Sequence, residues 1–128
     1  MSRPLRSSLG RVRGLGSAKE GVSHWWVQRM TALALIPLAL WFVAGIISVA
    51  GADYAAMRAW VGHPVTATLL VALMVAVFWH AKLGLQVVLE DYLHHEGQRM
   101  VAIVVMQGLM ILLGIASVVS VLKLAFGG

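Results

Sequence analysis

The sequence predicts an all-α membrane protein of three transmembrane helices, and three observations carry that reading. First, 60% of the 128 residues are hydrophobic and 12% charged, with a mean hydropathy of +0.87, far from the averages of soluble domains. Second, uncharged runs from Met30 to Ala52, Pro64 to Ala81 and Met100 to Leu122 each approach or exceed the ~20 residues that cross hydrocarbon as a helix. Third, the charges collect at the ends of those runs, where a bilayer tolerates them. One domain follows: a basic tail over 1–22, then a membrane domain over 23–128 with spans at about 25–51, 64–92 and 99–124.

The tail carries Arg3, Arg6, Arg11, Arg13 and Lys19 against a single acid, Glu20, with Arg29 just beyond. A net charge of +5 and a pI of 10.5 raise nucleic acid as a partner, but this crowding before the first apolar run points to membrane topology instead. The positive-inside rule puts the N-terminus in the cytoplasm and, with three spans, the C-terminus outside. Arg58 and Lys123 then fall outside, while Arg99 falls inside. The first run exceeds the ~7–15 residues of a signal peptide, and nothing amphipathic in the tail supports a transit peptide.

The first helix begins through His24, Trp25 and Trp26, read as an aromatic anchor at headgroup level, and carries Pro37 within its span. Residues from Asp53 to His63 read as a short loop with Trp60 as a second interfacial anchor. Gly62, His63 and Pro64 mark the start of the second helix, since proline favours the first helical position. After Tyr92, LHHEGQR reads as a polar turn ending at Gly97; His94, His95 and Glu96 are expected to be solvated, because adjacent histidines in a loop diverge. The third helix offers Gly108, Gly114, Ala116, Ser117 and Ser120 for close helix packing, and its methionines read as filler. With no cysteine, the chain supplies no disulfide, iron–sulfur or thiolate site, and histidine is its strong ligand type.

Chemistry concentrates in HAKLGLQVVLEDY, from His80 to Tyr92. Ionisable groups at membrane depth are costly and mark a cofactor, an ion path or a ligand. At about 100° per residue, His80, Gly84, Val87 and Asp91 share one narrow sector, with Tyr92 about 120° from His80. Asp91 stands roughly 16 Å along the axis from His80, so the two define separate sites, one deep and one near the membrane surface. Gly84 is expected to leave room for a flat ligand such as a haem plane. Lys82 lies on the opposite face from His80. For Arg29, snorkelling to lipid phosphate is as good a reading as a functional one. A lone intramembrane histidine suits a haem ligand, a proton relay or a hydrogen bond to another helix, and the spacing alone does not choose. A surface tyrosine beside a carboxylate suits proton donation to a quinone carbonyl.

HAKLGLQVVLEDY resembles the second-helix signature of the SdhD-type membrane-anchor subunits of succinate dehydrogenase, also called succinate:quinone oxidoreductase or respiratory complex II. HWWVQRMTALALIPLALWFV, with Arg29 followed by Thr31 and Ala32, resembles that family's first helix, and the likeness covers roughly residues 22–125. The resemblance implies three helices of a heterodimeric anchor bundle in the bacterial inner (cytoplasmic) membrane. It implies His80 as axial ligand of a haem b shared with the partner anchor SdhC, Arg29 at a haem propionate, and Tyr92 with Asp91 at a ubiquinone site shared with SdhC and the iron–sulfur subunit SdhB. The flavoprotein SdhA lies beyond, and electrons pass from succinate to quinone through a complex in which this chain is not catalytic alone. No role transfers to Lys82, His94 or His95. Two other readings stand beside it: a haem-free anchor or assembly subunit that docks a soluble partner, and, from Lys82 and Asp91, an ion-translocating subunit.

Overall fold

The computed structural model describes Leu9 and residues 18–127. Residues 18–127 form helices α1 (Ala18–Val49), α2 (Tyr54–Gly62), α3 (Pro64–Tyr92) and α4 (Glu96–Phe126). The arginines of the basic tail at positions 3, 6, 11 and 13 lie outside the described residues. Three helices, Gly21–Val49, Pro64–Tyr92 and Glu96–Phe126, are long and apolar enough to cross a membrane, so the three expected spans are present. α1 starts several residues before the expected span and stops at Val49. α4 starts at Glu96, which shortens the expected polar turn to Leu93–His95. Pro37 sits inside α1 without dividing it.

The expected loop from Asp53 to His63 is instead mostly helical. α1 ends where Gly51 takes a φ of +80°, a left-handed conformation that glycine adopts without a Cβ penalty. The Asp53 carboxylate then accepts a hydrogen bond from the Ala56 N–H at 2.9 Å, satisfying one of the free donors at the start of α2. His63 ends α2 and starts α3: its Nδ1 accepts from the Val65 N–H at 3.3 Å, while Pro64, which has no N–H to satisfy, takes the first helical position. Trp60 also packs within the chain. It is half-buried and stacks on Trp41 of α1 at 5.9 Å between ring centroids and 24° between planes, with its ring over Gly45. Gly45 matters here because any side chain at that position would collide with the indole.

α3 is the central helix, packing on α1 along one side and on α4 along another. Thr31 meets His80 and Gln28 meets Gly84, so each step back along α1 matches a step forward along α3. Phe78 meets Gly114 and Gln86 meets Gln107, and the same antiparallel rule governs α3 and α4. Gly114 closes that second seam: a Cβ there would stand 3.4 Å from the Phe78 Cβ. Gly108, by contrast, meets nothing within 4 Å, and Ser117 and Ser120 donate to carbonyls of their own helix. Within the described residues, Gly114 is the glycine by which α4 packs closely on α3. Leu70, Leu73, Leu83 and Met106 are buried in the seams; most other large apolar side chains face outward, as lipid or a partner helix requires.

Candidate functional site at the His80 seam and the Tyr92 end of α3

The deep site lies where α1 crosses the middle of α3. His24, Gln28 and Thr31 follow a three- and four-residue spacing, so they line one face of α1, and all three are half-buried. The Thr31 hydroxyl lies 2.9 Å from the Val27 carbonyl and 3.0 Å from the Gln28 carbonyl, as a threonine bonding back to its own helix does. The same oxygen is 3.1 Å from His80 Nδ1. A hydrogen bond from His80 to another helix was among the readings of the sequence; Thr31 as its partner was not.

Gly84 faces α1. The space its missing side chain leaves is occupied by Gln28, whose Nε2 would lie 3.6 Å from a Cβ at position 84. The glycine lets α1 approach α3 and brings the Gln28 side chain beside the open position. Gln28 Oε1 and His24 Nε2 are both buried without a hydrogen-bond partner. His24 thus faces the seam, whereas Trp25 and Trp26 are exposed and meet edge to face at 5.2 Å. A cleft also opens nearby. One turn deeper than His80, Thr31, Ala34, Ala72, Val75, Ala76 and Trp79 border an open cleft of about 530 Å³.

The two cations near this depth stand over aromatic rings. Arg29 is exposed, with its guanidinium carbon 5.3 Å from the Trp25 ring centroid, and it sits on the side of α1 away from Thr31, about 200° around the helix. Lys82 Nζ is 4.0 Å from the Trp79 ring centroid. That contact answers where Lys82 points: it borders a second apolar groove, of about 300 Å³, between α3 and α4 with Phe78 and Gly114. Arg29 and His80 are not brought together within this chain.

The second site is at the end of α3. Asp91 is exposed and Tyr92 is 78% exposed, so the phenol is available to whatever lies against this end of the bundle. A polar line leads from the α3–α4 seam out toward it: Gln107 Nε2 donates to Gln86 Oε1 at 3.2 Å, and on the exposed side of α3 Gln86 Nε2 donates to Glu90 Oε1 at 3.0 Å. Hydrogen bonds of this kind join helices where apolar packing gives no preference over lipid. His94 and His95 are exposed beyond it.

Against known proteins, residues 3–122 match the family model described as the succinate dehydrogenase/fumarate reductase transmembrane subunit. The chain belongs to that family. A succinate dehydrogenase hydrophobic membrane anchor subunit of Rickettsia bellii is 30% identical over 121 residues, covering 94% of this chain and 97% of the relative. A succinate dehydrogenase membrane anchor subunit of Reclinomonas americana is 31% identical over 66% of this chain and 73% of its own. A hydrophobic membrane anchor subunit of Paracoccus denitrificans is 29% identical over 73% of this chain and 71% of its own. No solved structure matches. With these relatives and three apolar helices, the chain is a multi-pass membrane-anchor subunit of the succinate dehydrogenase type.

Proposed function

We propose that this anchor binds a haem b jointly with a second anchor subunit and forms part of the site at which the complex reduces ubiquinone. The observation that carries the haem assignment is the state of His80. Its Nδ1 is engaged by Thr31, its Nε2 has no partner among the described residues and is not sealed off, and it stands well inside a roughly 40 Å helix. An imidazole with one nitrogen held by an oxygen and the other free is the form in which histidine ligates a metal. Bound haem supplies a one-electron redox centre. A second ligand for that group would have to come from the partner anchor.

Arg29 pairs with a propionate, where a guanidinium offsets a carboxylate charge. Its present contact with Trp25 is worth only ~0.5–1 kcal/mol at an exposed site, so it swings away at small cost. Tyr92 donates its phenol hydrogen to a quinone carbonyl, and Asp91 orients it or relays a proton. The partners are the second anchor SdhC, the iron–sulfur subunit SdhB and, through it, the flavoprotein SdhA. The location is a bacterial inner membrane with the basic N-terminus and Tyr92 on the cytoplasmic side, which the charge distribution supports. A dithionite-reduced spectrum of the purified complex tests the haem assignment. We expect b-type Soret and alpha bands, and a complex that assembles without them leaves a haem-free anchor whose His80 only ties α1 to α3.

A further inference from the structure

We infer that Thr31 is a positioning residue for His80, fixing which ring nitrogen carries the hydrogen and which is offered outward; the inference rests on the haem reading above. The direction is assigned from the hydroxyl's other contacts. A threonine hydroxyl has one hydrogen and two lone pairs. That hydrogen goes to the main-chain carbonyls of Val27 and Gln28, at 2.9 and 3.0 Å. The contact of 3.1 Å between Thr31 Oγ1 and His80 Nδ1 is then a bond that Nδ1–H donates to Oγ1. His80 is thereby held with hydrogen on Nδ1 and a lone pair on Nε2.

The bond also spans two elements. Thr31 belongs to α1 and His80 to α3, so the hydroxyl sets the ring plane by reference to a helix other than the one that carries the histidine. The hydroxyl is itself fixed, because its backbone bonds allow it little rotation. An oxygen accepting from the far nitrogen raises the donor strength of the near one. Thr31 therefore holds the imidazole in one orientation and favours the oxidised iron over the reduced one.

The test uses the whole complex carrying Thr31→Val, which keeps the side-chain shape and removes the hydroxyl, and Thr31→Ser, which keeps the hydroxyl. In the valine complex we expect haem retention to weaken about 10-fold or more, the low-spin EPR signal to broaden or shift, and the haem midpoint potential to rise. The serine complex should return all three toward wild type. Should valine impair assembly, Thr31→Ala is read in its place with the same expectation. The inference is overturned by g-values and potential unchanged in a hydroxyl-free variant, or by serine and valine shifting them equally, which would make Thr31 a packing residue. A wild-type complex without haem overturns the underlying reading instead, so the two failures are distinguishable.

Discussion

Tyr92 ends α3 with its phenol free, and Tyr92→Phe removes one hydroxyl from an exposed position without opening a cavity. A hydrogen bond to a quinone oxygen strengthens as negative charge builds on that oxygen. Its loss therefore costs a few kcal/mol in the reaction, on the order of 10²-fold in quinone turnover. We expect quinone reductase activity to fall by that order while electron delivery to a soluble artificial acceptor stays at the wild-type rate. Equal loss of both would indicate damaged assembly, and loss of neither would put the quinone elsewhere. His24 and Gln28 show why single side chains are hard to assign from sequence. Each reads as an interfacial or neutral polar residue on its own helix, and each becomes a buried seam residue only once α3 is laid against it.

At the scale of elements, α2 is the part of the fold the sequence conceals. Nine residues are too few for a periodic signal, and a tryptophan near the end of a span is ordinarily an interfacial anchor. The signals that it also packs within the chain are Asp53 as a cap and Gly45 across the seam, and neither points to the other without the three-dimensional path. Two substitutions test the account of this corner. Asp53→Ala should cost ~1 kcal/mol through the lost cap. Gly45→Ala puts a methyl into the Trp60 indole and should cost about 1–3 kcal/mol by overpacking. Thermal denaturation of the detergent-solubilised complex, followed by tryptophan fluorescence, would register both, with the glycine variant also disturbing the Trp41–Trp60 stack. Apolar runs between charged residues report span number directly, so the three long helices were legible. The packing of α1 on α3 was not, because a helix's own periodicity says which residues share a face and nothing about the register against its neighbour.

Over the whole molecule, the antiparallel register puts Arg29 on α1 and Lys82 on α3 at one level, each beside a tryptophan. From Lys82 to Tyr92, α3 runs about 15 Å beyond that level, accompanied by α4 with Met100, Val101, Val104 and Val105 exposed. An apolar stripe in that position suits contact with other subunits of the complex, beside the proposed quinone site at Tyr92. The orientation has its own test: reporter fusions should show the N-terminus in the cytoplasm and the C-terminus outside. A C-terminal reporter active only in the cytoplasm would reverse the topology. The central claim is that His80 ligates iron, and the most direct measurement is the low-spin haem signal of an assembled His80→Ala complex, read by EPR and by the reduced visible spectrum. Loss of the haem, or conversion to a high-spin or differently ligated form, is the predicted result; an unchanged low-spin signal and midpoint potential would contradict it.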